Sequence, residues 1–369
     1  MTKKILIVVF LVAVALVIWK WPSGEKGSDA IKIGAVLSLT GNAAQNGEAE
    51  QKGINLAVSE INASGGIKGK RVEVVFEDDR TDSKTTVGAV NKLISVDQVP
   101  VIIGATWDYL TNAAIPVIDE HKVVMITPST LPDTLEATST YLFETHAPIA
   151  VHETAVKAYL SRLKTPRVVI MSINVPWGKA HLETFRKAVV AAAGIVVKEV
   201  VLPSFDNNDI QGQLTLIKLL RPDVILTALT FSDSVTFLQR RAALGMGAPA
   251  LMEEKIFDLV ANGSISPELM KGISAFRFSP PNETFIENYT TAYGSAPREY
   301  ADTAYDAVYA IKHAIESVGK TDSNSVRNGL KTLRYTGASG TMDFTLHNYP
   351  ENETSLLYDF KEGTFQSVK

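Results

Sequence analysis

The chain has 369 residues, of which 46% are hydrophobic and 21% are charged, so it is long and apolar enough to bury more than one core. Its 36 basic and 40 acidic side chains give a formal net charge of -4 without a dense basic stretch, which predicts no nucleic acid as a partner. The absence of cysteine excludes disulfides, thiolate metal sites, thiol nucleophiles and anchoring through a lipid-modified cysteine.

The first predicted element is an apolar segment over residues 5–19. As a helix it would span only about 22 Å, less than the roughly 30 Å of a hydrocarbon core, which is typical of an export signal. The nearest small-x-small triplet lies downstream at residues 28–30, and Trp19 and Trp21 suit a lipid interface. We therefore expect residues 1–30 to form an uncleaved membrane anchor and tether, with a removed signal peptide as the alternative. Both place the folded chain outside the cytoplasm, in the periplasm or at the cell surface.

From Ile31 onward, strand-like runs alternate with stretches of helical periodicity. One helix is predicted around Ile54, and two more begin near Asp82 and Asp108. They separate four runs that are typical of buried strands: IKIGAVL, RVEVVFE, VPVIIGA and KVVMITP. Buried strands that alternate with helices indicate a parallel sheet.

The alternation begins again near His152, which indicates a second α/β unit. Helices are predicted over residues 152–163, 178–193 and 210–220, and the strand-like runs are RVVIMSI, IVVKEVVL, DVILTAL and APALM. The final hundred residues are less regular. They contain a long helix through residues 304–315 and the strand-like runs GTMDFTL and SLLYDF, which we expect to be shared between the two units.

The candidate binding site lies at the predicted strand ends. Doubly wound sheets bind ligands at the carboxyl ends of their strands, and two facing sheets form a cleft. The polar, acidic and tryptophan residues at these ends are Asn46, Thr106, Trp107, Asp108, Ser129, Thr130, Trp177, Thr230, Glu253 and Glu254. Structural roles remain open beside this interpretation: Asp108 is also a good N-cap for the helix that follows it, and the two glutamates also fit a solvated loop.

Several patterns resemble enzyme motifs but fail in spacing or context. The GMGAPA stretch at 245–250 follows a helix instead of a strand, and GGIKGK at 65–70 is one residue too short for a P-loop. HETAV at 152–156 lacks the second histidine of a zinc motif. The chain is therefore predicted not to be an enzyme, with no catalytic residue, no metal site and no cofactor.

From Ile31 to its end, the chain resembles the leucine/isoleucine/valine-binding family of periplasmic solute-binding proteins. The similarity is clearest in GAVLSLTGNAAQNGEAEQKGINLAVSEINASGGIKGKRVEVVFEDDRTD, VIIGATWDYLTNAAIPVIDEHKVVMITPS, PWGKAHLETFRKAVVAAAG and EYADTAYDAVYAIKHAI. The resemblance implies a type I periplasmic-binding fold, in which two doubly wound parallel-sheet lobes are joined by three crossovers. It assigns residues 31–147 plus 278–343 to lobe I and residues 148–277 plus 344–369 to lobe II.

The resemblance also implies roles for individual residues. In that family, hydroxyl residues of the first lobe hold the ligand carboxylate, at positions that match Trp107, Asp108, Ser129 and Thr130 here. Ser129 and Thr130 keep this pattern, whereas Trp107 and Asp108 replace serines. Further contact positions match Asn46, Trp177, Thr230 and Tyr300, and an acidic acceptor for the ligand ammonium falls at Glu253 or Glu254.

Asp108 changes the ligand expected for this site. A ligand carboxylate would meet the like charge of Asp108 at close range, which disfavours a standard free amino acid. We therefore predict a small polar solute (an amino acid, amide or related compound) that donates a hydrogen bond to Asp108 and packs on Trp107.

Two functions fit these expectations. The first is an extracytoplasmic solute-binding protein that delivers its solute to the permease of an ABC transporter, held at the membrane by residues 5–19. The alternative is a ligand-sensing receptor domain that signals through a membrane partner.

Overall fold

The computed structural model describes residues 30–132, 138–203, 209–350 and 354–368. The predicted anchor at residues 5–19 lies outside these ranges. No helix within them is both long and apolar enough to cross a membrane.

The first sheet has five strands in the described part of the chain, in the order β2-β1-β3-β4-β5, and its strand pairs are parallel. Every residue of β3 and β4 is buried, as expected for parallel strands covered on both faces. The strands are β1 (Ile31–Leu37), β2 (Val72–Asp78), β3 (Val101–Gly104), β4 (Val124–Thr127) and β5 (Leu142–Glu144).

Helices cover both faces of this sheet. One face packs in a core that includes Ile33, Ile54 and Ile311, and the other in a core that includes Val36 and Leu93. The helices are α1 (Ala44–Ala63), α2 (Ser83–Ser95), α3 (Asp108–His121), α9 (Glu283–Tyr293), α10 (Ala301–Val318) and α11 (Ser323–Leu330), followed by the hairpin β11 (Arg334–Thr336) and β12 (Thr341–Asp343). We call this unit lobe I.

The second sheet has seven strands among the described residues, in the order β14-β13-β10-β9-β8-β6-β7. Its parallel strands are β6 (Arg167–Ile173), β7 (Ile195–Leu202), β8 (Val224–Thr227), β9 (Ala250–Met252) and β10 (Ile273–Phe278). Two antiparallel strands, β13 (Ser355–Lys361) and β14 (Thr364–Ser367), extend one edge.

The helices of this second unit are α4 (His152–Leu160), α5 (Pro176–Ala191), α6 (Ile210–Leu220), α7 (Phe231–Ala243) and α8 (Lys255–Ala261). We call the unit lobe II. In the described part, the chain passes between the lobes after β5, after β10 and after β12, so the predicted fold of two doubly wound lobes with three crossovers is confirmed. We propose lobe boundaries at these passages, next to residues 147, 278 and 343.

Most elements of the alternating region were predicted correctly. Strands β1, β6 and β7 and helix α6 coincide with the predicted segments. Helix α5 begins two residues before the predicted Gly178, because Pro176 is compatible with a first helical turn. The predictions missed the strands β5, β10, β11 and β14 and the helices α8, α9 and α11.

Each sheet reverses its strand order at one place, between β1 and β3 in lobe I and between β6 and β8 in lobe II. Connections leave these two strands in opposite directions and open a crevice at their carboxyl ends. Glycines allow the following helix to approach: a Cβ at Gly47 would lie 2.1 Å from the carbonyl oxygen of Ser38, and one at Gly178 would lie 2.1 Å from that of Ile173. Helix α1 in lobe I and helix α5 in lobe II therefore pack directly against the end of the preceding strand.

Candidate functional site

A cavity of about 250 Å³ lies between the two lobes. Its volume is close to the lower end of the range for small-molecule sites, about 300–1,000 Å³, so it suits a small solute. Lobe I contributes Asn42, Trp107, Asp108, Tyr109, Ser129, Thr130 and Tyr300, and lobe II contributes Val175, Trp177, Thr230, Phe231, Ser232 and Lys255.

The cavity wall is built from the ends of strands in both lobes. The segments after β3 and β4 face the segments after β6 and β8, and helices α3, α5 and α7 start at the wall. The N-terminus of a helix carries partial positive charge and unpaired N–H groups, so this arrangement favours acceptors and anions in the cavity.

Seven of the eleven predicted contact residues lie on the cavity wall. They are Trp107, Asp108, Ser129, Thr130, Trp177, Thr230 and Tyr300. The other four, Asn46, Thr106, Glu253 and Glu254, are not among the lining residues, and their direct contact with a ligand stays a prediction.

Asn46 and Thr106 support the lobe I wall from behind. Asn46 lies in the first turn of α1, where its Nδ2 donates to Glu299 Oε2 at 3.0 Å and its Oδ1 accepts from Trp107 Nε1 at 3.3 Å. Thr106 Oγ1 donates to Glu50 Oε2 at 2.5 Å and accepts from the main-chain N of Ser38 at 2.9 Å. Asn46 thus orients the Trp107 ring, and Thr106 ties the end of β3 to the end of β1.

Asp108 joins the two lobes. Its Oδ1 accepts from the main-chain N of Tyr109 at 2.7 Å, and its Oδ2 accepts from the main-chain N of Trp177 in lobe II at 2.6 Å. Burial raises the pKa of this carboxyl to about 6, although the two hydrogen bonds and the charge of Lys255 act in the opposite direction.

The interpretation of Asp108 as an N-cap is wrong by one residue, because the N-cap position of α3 lies one residue earlier in the chain. Trp107 occupies the N-cap position of α3, where it makes no side-chain cap hydrogen bond, and Asp108 is the first helical residue. Its carboxylate meets the N-termini of both α3 and α5, which is favourable for a negative charge. Asp108 is therefore a bridge between lobes and not an N-cap.

Lys255 brings a buried ammonium group to the lobe II wall. It is the first residue of α8 and is only 8% exposed. Its Nζ lies 3.4 Å from Glu253 Oε2, 3.8 Å from Glu299 Oε1 and 4.2 Å from the ring centre of Trp177. Burial alone would lower the pKa of Lys255, but the charges of Glu253 and Glu299 outweigh it and raise this pKa above its usual value. The side chain stays cationic.

Glu253 and Glu254 lie behind Lys255. Burial raises the pKa of Glu253 to about 7 against the opposing charge of Lys255, and burial raises the pKa of Glu254 well above its usual value. Glu254 Oε2 accepts from the main-chain N of Phe278 at 3.4 Å. The pair is therefore part of a buried ionic cluster and not a solvated loop.

Thr130 presents a hydroxyl donor to the cavity. His146 Nδ1 lies 3.0 Å from Thr130 Oγ1 and 3.1 Å from the carbonyl oxygen of Ala147. Because a carbonyl can only accept, we assign the proton to Nδ1, which makes Thr130 Oγ1 an acceptor and leaves its own proton for a ligand. Burial lowers the pKa of His146 to about 4, so the ring is neutral.

Tyr300 occupies an unusual backbone conformation. Its φ is 71°, in the left-handed region that bulky residues seldom adopt, directly before α10. The ring packs edge-on against His146 at 5.5 Å between centroids and is 5% exposed. Strain of this kind concentrates at binding sites, and here it turns a large aromatic ring into the cavity wall.

Six lining residues were missed by sequence reasoning: Asn42, Tyr109, Val175, Phe231, Ser232 and Lys255. Tyr109, Phe231 and Ser232 are one or two positions from predicted contacts, so a wider window at each strand end would have included them. Lys255 directly follows the two predicted glutamates and precedes two apolar residues. A single cation in this position is the pattern that could have identified Lys255 as a site residue.

Comparison with known proteins identifies the family. A model described as periplasmic binding protein matches residues 30–359. This chain belongs to the periplasmic binding protein family. The predicted resemblance to leucine/isoleucine/valine-binding proteins is confirmed by this match and by the relatives below.

One periplasmic binding protein similar to this chain is the leucine-, isoleucine-, valine-, threonine-, and alanine-binding protein of Pseudomonas aeruginosa, which is 24% identical over 96% of each chain. Another is the substrate-binding protein LivJ of Streptococcus pneumoniae, solved in complex with isoleucine. It is 25% identical, has a TM-score of 0.81 and is matched over 92% of this chain and 99% of its own.

The fold also matches a solute-binding protein of Rhodopseudomonas palustris solved with 3,4-dihydroxy benzoic acid, at 20% identity, a TM-score of 0.79 and coverage of 92% and 96%. As a periplasmic binding protein this chain works outside the cytoplasm, and it is not an enzyme, as predicted.

Proposed function

We propose that this periplasmic binding protein captures a small polar solute between its lobes and delivers it to the permease of an ABC importer. The observation that carries the proposal is the hydrogen bond from the Trp177 main-chain N in lobe II to Asp108 in lobe I, on the wall of a small cavity. Residues that contact the solute therefore also join the lobes.

This geometry supports a clamp mechanism. A solute that touches the lobe I wall at Thr130 and the lobe II wall at Trp177 makes both sets of contacts only when the lobes are closed. A ligand shifts a conformational equilibrium by its difference in affinity between the two states, so such a solute favours closure. The permease then distinguishes the closed form from the open one.

The solute that we propose is of amino acid size and polarity, which agrees with the cavity volume and with the isoleucine bound to the Streptococcus pneumoniae relative. One detail of the predicted ligand loses its support. Both Asp108 oxygens already accept main-chain hydrogen bonds, so part of the acceptor capacity of this carboxylate serves to join the lobes and is not reserved for an amine or amide.

A ligand screen tests the proposal. We expect the full chain in mild detergent to gain about 2.7 kcal/mol of stability at a solute concentration a hundred times Kd, seen as a higher unfolding temperature. Two of the four tryptophans, Trp107 and Trp177, line the cavity, so the same solute should change tryptophan fluorescence. If amino acids, organic acids, amides, amines and sugars all leave both signals unchanged, solute capture at this cavity is ruled out.

We further propose that the apolar segment at residues 5–19 remains on the mature protein and holds it at the membrane. The segment is followed directly by Lys20, Trp21 and Pro22, without a small residue pair for cleavage. The intact mass of the protein purified from membranes should include residues 1–30. A soluble product that begins after residue 30 would show instead that the segment is a removed signal peptide.

A further inference from the structure

We infer that the solute of this cavity is a carboxylate that carries no amino group of its own, because Lys255 supplies the ammonium of the site. The inference deepens the function proposed above and rests on it.

Lys255 has donor capacity directed at the cavity. Its ammonium has three N–H donors, and among the described residues only Glu253 lies within hydrogen-bonding distance of Nζ, at a long 3.4 Å. The 3.8 Å separation from Glu299 is an ionic contact without a hydrogen bond. The Nζ lies over the Trp177 ring and near that of Phe231, both of which line the cavity. An acceptor in the cavity would complete its hydrogen bonding.

The acids that could bind a ligand ammonium are already used by the protein. Glu253 and Glu299 lie behind Lys255 and face its Nζ. Asp108 is the one acidic residue among the described residues that line the cavity. It accepts two main-chain hydrogen bonds at the N-termini of α3 and α5. A ligand that brings a second ammonium would therefore meet the charge of Lys255 at a site where each nearby acid already pairs with Lys255 or with main-chain N–H groups.

Donors for a carboxylate are present on both lobes. Thr130 offers its hydroxyl proton from lobe I, and Lys255 offers its ammonium from lobe II. Phe231 and Ser232 line the cavity at the start of α7, where the first N–H groups of a helix have no partner within it. A carboxylate bound between these groups would receive donors from both sides of the cleft.

The remaining wall is largely aromatic. It is formed by the rings of Trp107, Tyr109, Trp177, Phe231 and Tyr300. Such a wall binds a compact apolar body through burial and ring contacts. The chemistry of the wall thus specifies a small organic acid with an apolar or aromatic body.

Matched ligands separate this inference from the proposed function. Binding to the full chain in mild detergent is measured by titration calorimetry with hydrocinnamate, phenylalanine and hydrocinnamamide, and again with isocaproate, leucine and isocaproamide. In each trio that contains a binding member, we expect the acid to bind at least about tenfold more tightly than both the amino acid and the amide. Only the acid offers a carboxylate to the Lys255 ammonium without bringing a second ammonium.

Phenylalanine or leucine binding as tightly as its acid would overturn the inference while it supports solute capture. An amide that binds as tightly as its acid would overturn it as well. If no member of either trio binds, the inference is wrong, whereas the proposed function is judged by the wider ligand screen.

A pair of lysine variants tests the role of Lys255 itself. Lys255→Gln should remove the preference for the acid over the amide, whereas Lys187→Gln, an exposed lysine of α5, should keep it. Circular dichroism establishes that each variant is folded. If Lys255→Gln does not fold, Lys255→Arg retains the charge and should retain the preference. A folded Lys255→Gln variant with unchanged preference would contradict the assignment.

Discussion

Solute binding is expected to weaken about tenfold as the pH rises from about 5 to about 7.5, and Asp108→Asn should abolish this dependence. In the closed form, burial raises the pKa of Asp108 from 3.8 to about 6. In an open form the carboxylate loses Trp177 and faces water, so its pKa returns towards the ordinary value. Closure therefore takes up a proton between these two values.

The sign of this effect follows from the raised pKa. A carboxyl group that binds its proton more tightly in the closed form favours closure fully below about pH 4, and this contribution is lost as the pH rises through about 6. Near pH 5, nearly one proton should be taken up for each solute bound. Asparagine at position 108 has no such proton, and it can still accept the hydrogen bond from Trp177.

Proton uptake is measured directly by titration calorimetry in buffers of different ionisation enthalpy. Glu120→Ala, which removes an exposed acid from the same helix, serves as the matched control and should leave the uptake unchanged. Equal proton uptake by the Asp108→Asn variant would show that other groups titrate on closure. No uptake in the unmodified protein would show that Asp108 is equally buried in both forms.

Two glycine substitutions are expected to change stability in opposite directions. Gly178→Ala should lower the free energy of unfolding by about 3 kcal/mol, because the new Cβ would lie 2.1 Å from the Ile173 carbonyl oxygen. Gly88→Ala, in the exposed part of α2, has no heavy atom within 4 Å of the new Cβ and should raise it by about 0.5–1 kcal/mol. Both glycines are helical, so helix propensity alone would stabilise both variants.

Denaturant unfolding of the two variants, with solute absent, measures this difference. The Gly178 variant should also bind solute more weakly, since relief of the clash moves the start of α5 and with it the main-chain N of Trp177. Equal stability of the two variants would mean that α5 moves freely away from β6. In that case, the close contact between α5 and β6 would not determine the position of the lobe II wall.

The alternating region was predictable because its signals are local. The run RVVIMSI is apolar except for Arg167 and Ser172, as expected for a strand covered on both faces, and its short length favours a strand over a helix. Short elements escaped the same reasoning. Strand β5 has three residues, and α8 has seven, too few for a periodicity to be seen.

Seven cavity residues were predicted for a related reason. Once the sheet is known to be parallel, the carboxyl ends of its strands meet at one edge, so Ser129 and Trp177 can be assigned to the cleft from their position after a strand. Asn46 and Glu253 follow strands too, but the backbone turns their side chains towards Glu299 and Lys255. Position after a strand does not determine the direction of a side chain.

The sequence by itself determined the parallel strands of the two sheets, the edge at which the cavity lies and the family, since all three depend on patterns within short segments. Only the tertiary structure decided which charged side chains reach the cavity and how they are paired. Asp108 accepts from Trp177, 69 positions away, and Lys255 reaches the cavity above two glutamates. Both arrangements arise where the lobes meet, and long-range contacts of this kind depend on packing that a local pattern does not encode.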